Sequence, residues 1–271
     1  MRTIYVVIIL AVILLVLSLT AGGIAGTLGS VTATPSNSEA GATTIYTFSF
    51  TTSTVGNGTD IGIPSNGRII ITFPTGFDAS GVLIAQSNNS NMTGGLSASG
   101  SSNVVTLTRD NTGNNVAGNV SVSLSIANVI NHSTSGSAYT VTIETRTNAG
   151  TQIDTGTSSP FSITPASLDH FAITTIGTQT AGSSFSITIT AKDAQNNTVT
   201  SFTGTASLSD LTGTLTPTVT GNFTAGVWSG SVTITKSTTS NTITVTSSGK
   251  AGTSNTFAVN PAALDHFTFA T

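Results

Sequence analysis

Cysteine is absent from all 271 residues. The disulfide staple of many small secreted domains is therefore excluded, and each module must hold together through an apolar core. Charge is scarce as well. Asp, Glu, Lys and Arg together make up 6% of the chain, against roughly a quarter of an ordinary soluble domain. With 7 basic residues and a formal net charge of −3, the chain carries no electrostatic footprint for nucleic acid. Ser and Thr fill the space, at about a third of all positions, alongside 28 Gly. Thr favours strands and faces water without being ionised. A disordered Ser/Thr stalk is the competing reading, but such chains lack apolar alternation. Here 37% of residues are apolar and they fall in short alternating runs.

The chain begins Met1-Arg2-Thr3, continues with an apolar run over 4–17 and then turns to small residues, Ser18, Ala21, Gly22, Gly23, Ala25 and Gly26. A basic end, an apolar middle and a small-residue exit make a secretory signal, with Gly23-Ile24-Ala25 as the cleavage site. The alternative is an uncleaved anchor. The run is short for a membrane-spanning helix of ~20 residues, and extension through Leu28 reaches that length. Either way, residues 1–29 are expected to be a signal peptide or membrane anchor, and the remainder of the chain is expected outside the cell.

A self-match organises the rest. Pro165-Ala166-Ser167-Leu168-Asp169-His170-Phe171 recurs as Pro261-Ala262-Ala263-Leu264-Asp265-His266-Phe267, 96 residues later. That spacing is too long for a solenoid repeat and suits one sandwich domain. Pro165 and Pro261 mark junctions, where a proline ends one strand and stiffens the entry to the next module. Within 165–260, Phe185, Ile187, Ile189 and Ala191 alternate with Ser and Thr, which predicts a strand with one wet face. Asp193-Ala194-Gln195-Asn196-Asn197 predicts a turn and a hairpin. Trp228, Val232 and Ile234 share a face across Gly230, and Ile243 with Val245, then Phe257 with Val259, supply later strands. Residues 30–164 form a longer module of a different kind. There Tyr46, Phe48 and Phe50 alternate, Ile69 to Phe73 read as a buried strand, and Val122, Leu124, Ile126, Tyr139, Val141 and Ile143 mark others. The Asn/Ser-rich stretch 86–93 reads as an exposed loop. Residues 261–271 read as the first strand of a further, truncated repeat, or as a strand donated to a neighbouring subunit.

With these residues laid out, the second module resembles the bacterial and archaeal immunoglobulin-like repeats of surface proteins, of adhesin, invasin or surface-layer type. The resemblance is carried by Ile187-Thr188-Ile189-Thr190-Ala191-Lys192-Asp193-Ala194-Gln195-Asn196-Asn197 and by Phe223-Thr224-Ala225-Gly226-Val227-Trp228-Ser229-Gly230. The first module is more loosely similar to such sandwiches, through Ile71-Thr72-Phe73-Pro74-Thr75-Gly76-Phe77. The resemblance implies an all-β chain: tandem immunoglobulin-like β-sandwiches after an N-terminal hydrophobic helix. It implies a stalk, an adhesin or a surface-layer component and carries no catalytic residues.

The residues agree that this is not an enzyme. His170 and His266 repeat with their module, as structural residues do. An Asp-His pair alone, such as Asp169-His170 or Asp265-His266, lacks a nucleophile and an oxyanion hole. His132 lies in a turn-like stretch and reads as a solvated loop residue. Asp60, Asp78, Asp110, Glu144 and Asp154 are scattered, without the spacing of a calcium loop. Asp193 with Asn196 reads as a turn before it reads as a calcium ligand. No phosphate loop or dinucleotide fingerprint occurs. No cofactor and no metal are expected. Sugar-binding faces need exposed rings, whereas Trp228, Tyr46 and Tyr139 fall on predicted inner faces. Sequons at Asn57, Asn88, Asn91, Asn119, Asn131, Asn196 and Asn222 permit N-glycosylation, at a number that the Ser/Thr content produces by chance.

The function expected from sequence is therefore a non-catalytic stalk of tandem modules at the cell surface or secreted, a fragment of a longer repeat protein. Its partners are the cell envelope or neighbouring copies of itself, with any protein or glycan ligand unidentified. Three alternatives stay open. They are an adhesin that binds through loops of the first module, a strand-donating filament or surface-layer subunit, and an accessory region of a larger secreted enzyme.

Overall fold

The computed structural model describes residues 25–55, 62–83 and 85–264, and these contain no α-helix. No helix among them is long and apolar enough to cross a membrane. The apolar run at 4–17 lies outside the described residues. The chain divides into two compact units between Thr164 and Pro165.

The first unit contains β1 (Gly26–Thr27), β2 (Gly29–Pro35), β3 (Thr43–Thr51), β4 (Arg68–Thr72), β5 (Ala85–Ser87), β6 (Leu96–Ser101), β7 (Val104–Arg109), β8 (Ser121–Ile130), β9 (Gly136–Tyr139), β10 (Thr142–Arg146), β11 (Gln152–Thr157) and β12 (Phe161–Ile163). One sheet has the order β2-β3-β8-β5, another β1-β11-β10-β4-β7-β6, and β12 pairs with β9. The alternation in β3 turns Tyr46, Phe48 and Phe50 inward, and opposite them β8 supplies Val122, Leu124 and Ile126, with Phe48 paired to Leu124. Ile69 and Ile71 on β4, Val105 and Leu107 on β7 and Ile143 on β10 fill the same core from the other sheet. Each such side chain contributes roughly 1.5–3 kcal/mol by leaving water, so the sandwich needs no covalent staple.

This unit starts earlier than the boundary at residue 30 expected from sequence. Gly26 and Thr27 pair in parallel with Asp154 and Thr155, and Leu28 is 4% exposed in the core. A membrane span extended through Leu28 is thereby corrected, because that side chain is spent on the sandwich.

The second unit contains β13 (His170–Ile173), β14 (Gln179–Thr180), β15 (Ser184–Lys192), β16 (Ser207–Asp210), β17 (Leu215–Thr216), β18 (Val227–Ile234), β19 (Thr238–Asn241), β20 (Ile243–Ser247), β21 (Lys250–Thr253) and β22 (Phe257–Asn260). The order β13-β15-β18-β17 lies on one side, with β16-β20-β21 and β14-β22-β19 forming the others. Taking β13, β15, β16, β17 and β18 as strands A to E, and β19–β20 and β21–β22 as F and G, these are the ABED and CFG sheets of an immunoglobulin constant-type sandwich. The first unit follows the same plan with an added β6–β7 hairpin, which comes after β5 in the chain and extends the sheet beyond β4 through β7. Its greater length is thus an insertion into the shared fold, where the sequence had suggested a module of a different kind.

Ile187, Ile189 and Ala191 point inward as the alternation requires. Trp228 is half-buried and lies over Gly230, where any Cβ would collide with the indole. The hairpin expected after Asp193 is a single bridge, Lys192 to Thr198, with no strand following.

Candidate functional site

Several of the residues singled out in the sequence lie next to the boundary between Thr164 and Pro165, where backbone hydrogen bonds account for them. On the first unit's side of the junction, Thr164 donates its N–H to the Ser38 carbonyl at 2.8 Å, and its carbonyl accepts Ala40 N–H at 2.9 Å. On the second unit's side, Ala166 N–H donates to Asp193 Oδ2 at 2.9 Å. Asp169 N–H donates to the Lys192 carbonyl at 2.8 Å. Leu168 packs on the second core, and Phe171 lies 5.4 Å from Phe202 and 5.9 Å from Phe223, ring to ring. Pro165 is the one residue between Thr164 and Ala166.

The far end of the second unit repeats the arrangement. Asn260 accepts Ala181 N–H at 2.8 Å, as Thr164 accepts Ala40 N–H. The turns after these alanines are alike: Gly41 and Gly182 have φ of 71° and 79°, a left-handed region that glycine enters without the strain a side chain brings. One strand earlier, Ser158 and Ser254 are also equivalent. Val141 N–H donates to Ser158 Oγ at 3.0 Å, and Ile243 N–H donates to Ser254 Oγ at 3.0 Å. Pro261 is exposed and Leu264 is 73% exposed. Asp265, His266 and Phe267 lie outside the described residues.

Asp169 has a structural setting. Its Oδ2 is 3.2 Å from His170 Nδ1 and its Oδ1 is 3.4 Å from Lys250 Nζ on β21. The hydrogen bonds from His170 and Lys250 hold its carboxyl below the usual carboxylate range. Asp193 is fully buried, and both its oxygens are occupied by the turn. Oδ1 accepts Gln195 N–H and Asn197 N–H, while Oδ2 accepts Ala166 N–H and Asn197 Nδ2–H. Burial opposes its ionisation, but these bonds outweigh burial and keep the carboxyl low. The turn around Asp193 and Asn196 is closed by its own hydrogen bonds and also holds Ala166.

Two expectations about the first unit are corrected and a third is refined. The stretch 86–93 is an exposed loop from Asn88 on, as expected, but it is tied to the sheet at several points. Gln86 and Ser87 belong to β5, Asn88 and Asn91 donate to Ser125 Oγ and the Ser121 carbonyl, and Met92 is 1% exposed. His132 is half-buried and not a free loop residue. Its ring packs 5.8 Å from Phe77 and 5.2 Å from Tyr139, and its Nδ1 accepts Thr134 N–H. Asn131 is 1% exposed, donates from Nδ2 to the Asn37 and Glu39 carbonyls, and accepts Tyr46 Oη–H at 2.6 Å. A glycan on that amide has no path to solvent in this fold. Asn88, Asn91, Asn119, Asn196 and Asn222 are exposed, and Asn57 lies outside the described residues.

Sequence reasoning missed Arg109, which is 3% exposed. Its guanidinium donates to four carbonyls: Ile63 and Pro64 through Nη1, Thr93 and Asn114 through Nη2. Burial lowers its affinity for the proton, and Asp110 acts against that. A planar fork with several fixed donors can tie three chain segments at once, which lysine cannot. The signal for one local detail was present: Asp110-Asn111-Thr112-Gly113 and Asp210-Leu211-Thr212-Gly213 build matching turns, in which the aspartate accepts the N–H and hydroxyl of the threonine two residues on.

Two shallow depressions lie on the outer face of β3 and β8, of about 420 and 220 Å³, sharing Ile45 and Ala127. No charged side chain lines either. Among the described residues, no group of three or more His, Asp or Glu could hold a metal ion.

No protein-family model matches the chain, and no curated protein matches it. Among solved structures it is similar to InvD of Yersinia pseudotuberculosis, at 15% identity and a TM-score of 0.41, over 90% of this chain and 60% of that one. It is also similar to the Escherichia coli adhesin FdeC, at 15% identity and a TM-score of 0.40, over 89% of this chain and 67% of that one. A third likeness is to BcpA, the major pilin subunit of Bacillus cereus, at 15% identity and a TM-score of 0.32, over 83% and 62%. The chain spans about 60% of the length of the InvD structure.

Proposed function

We propose that the chain is a non-catalytic structural stalk at the cell surface or in secreted form, whose immunoglobulin-like modules set a distance. The observation that carries this reading is the length of the joint. Thr164 is bonded inside the first unit and Ala166 inside the second, leaving Pro165 alone between them, and its ring fixes φ. A connector with one free residue of restricted φ suits a spacer and wastes the freedom that a hinged binding protein uses. The partners on this reading are the cell envelope and neighbouring copies. A surface of Ser and Thr with few charges lets copies approach side by side with little repulsion.

The test is a distance distribution between spin labels placed one in each unit. The stalk reading expects a narrow distribution, which widens when four Gly-Ser residues are inserted after Thr164. A distribution already as wide in the unaltered chain overturns it.

A further inference from the structure

Asp154 on β11 plays no part in the junction. The residue is wholly buried, and its Oδ1 has no hydrogen-bond partner. Ser53 N–H donates to Oδ2 at 3.3 Å, and the Thr145 hydroxyl is its other polar neighbour. The unpartnered oxygen lies against the Cα of Gly26, beside the carbonyl oxygen of Val55. A Cβ built on Gly26 would collide with both. Two acceptors thus face the same small space, and among the described residues no donor reaches Asp154 Oδ1. For a carboxylate this is an unfavourable setting, since a buried charge needs donors on each oxygen. For a carboxylic acid it is a fitting one, because the acid proton supplies the missing donor.

Among the described residues, no charge offsets an ionised Asp154. The neighbouring strand β1 brings Gly26 and Thr27, the stretch 52–55 brings Thr52, Ser53, Thr54 and Val55, and β10 brings Thr145. Glu144 and Arg146 on β10 project from the half-exposed face of the sheet, opposite to buried Thr145, and pair with each other. Burial raises the Asp154 carboxyl above the ordinary carboxylate range, with the Ser53 and Thr145 bonds acting the other way.

We infer that Asp154 is a neutral carboxylic acid in the folded first unit, and that its ionisation releases β1 from β11, making the attachment of the chain's N-terminal lead a pH-sensitive latch. Gly26 pairs directly with Asp154, and the next bond along, Leu28 N–H to the Thr155 carbonyl at 2.8 Å, reports on the docking.

The experiment is amide hydrogen exchange at Leu28 as a function of pH in the full chain, with D154N alongside. Asn supplies the missing donor without titrating. In the unaltered protein the opening constant, corrected for base catalysis, rises about tenfold per pH unit between the ordinary carboxylate range and the raised titration of Asp154, then levels off. In D154N it stays flat. Identical profiles in the two proteins overturn the inference. Should D154N not fold, the infrared carboxyl band of the unaltered protein decides. A protonated-acid band persisting where exposed carboxyls are ionised supports the neutral acid, and its absence overturns it. Protection of Leu28 restored at high pH by added calcium also overturns it, in favour of a bound cation between Asp154 and Val55.

Discussion

Asp193 Oδ2 accepts the backbone N–H of Ala166 at 2.9 Å, fastening the start of the second unit's chain to a turn 27 residues further on. The same carboxylate closes the turn through three other donors, so one side chain both shapes the loop and fixes the start of the second unit. D193A is expected to destabilise the second unit by ~2–4 kcal/mol, since four donors lose a buried charged acceptor. Denaturant unfolding followed at Trp228, the sole tryptophan, measures it.

The pH dependence of that contribution has a definite sign. The folded carboxyl sits below its unfolded value, so folding is favoured by Asp193 above the ordinary carboxylate range, and the favour is lost as pH falls toward the lowered folded value. D193N is expected to flatten this acid limb of the second unit's stability curve. An unchanged slope between the two proteins would contradict the assignment.

Arg109 holds four carbonyls from three segments of the first unit. R109M is expected to cost at least about 3 kcal/mol, because the buried carbonyls lose their donors together. R109K should recover only part of this, as a single ammonium cannot span both pairs of acceptors. Unfolding followed by tyrosine fluorescence is a suitable measurement, for all 3 tyrosines lie in the sequence before Pro165.

Ser158 and Ser254 occupy one position in two copies of the fold. S158A and S254A should each lose about 1 kcal/mol, the first from the first unit and the second from the other. They share no partner, so the double variant should show the two losses independently. Differential scanning calorimetry with both single variants checks the assignment of each transition.

Asn131 pairs with Tyr46, whose phenol burial pushes well above its usual titration range. Y46F is expected to cost about 1 kcal/mol and N131A about 2–3, because the latter also strands the Asn37 and Glu39 carbonyls. In a glycosylating host, mass spectrometry of the folded protein should find Asn131 bare, whatever the occupancy of Asn88, Asn91, Asn119, Asn196 and Asn222.

The sandwich core was readable because strand alternation is local. Tyr46, Phe48 and Phe50 on β3, and Ile187, Ile189 and Ala191 on β15, face inward in the structure as their spacing requires. The turn at Asp193 was readable for the same reason. The kinship of the first unit was harder to see. Its β6–β7 hairpin shifts the spacing, though Ala40-Gly41 and Ala181-Gly182 were signals of a shared turn. Composition was enough to read the exposed loop in 86–93 but not its anchoring: its asparagines bond to β8, and Met92 among them is a core residue.

By itself, then, the sequence determined an all-β chain of sandwich modules free of disulfides, with a proline at the boundary between its two described units, since period-two alternation and a 96-residue self-match are properties of the string. Only the tertiary structure decided which polar groups are buried and what they do. Arg109, Asn131, His132 and Asp154 look like ordinary surface residues in the string. Their roles depend on carbonyls, rings and amides brought from remote segments by the closing of the sheets, and a side chain's burial and hydrogen-bonding partners exist only once those segments meet.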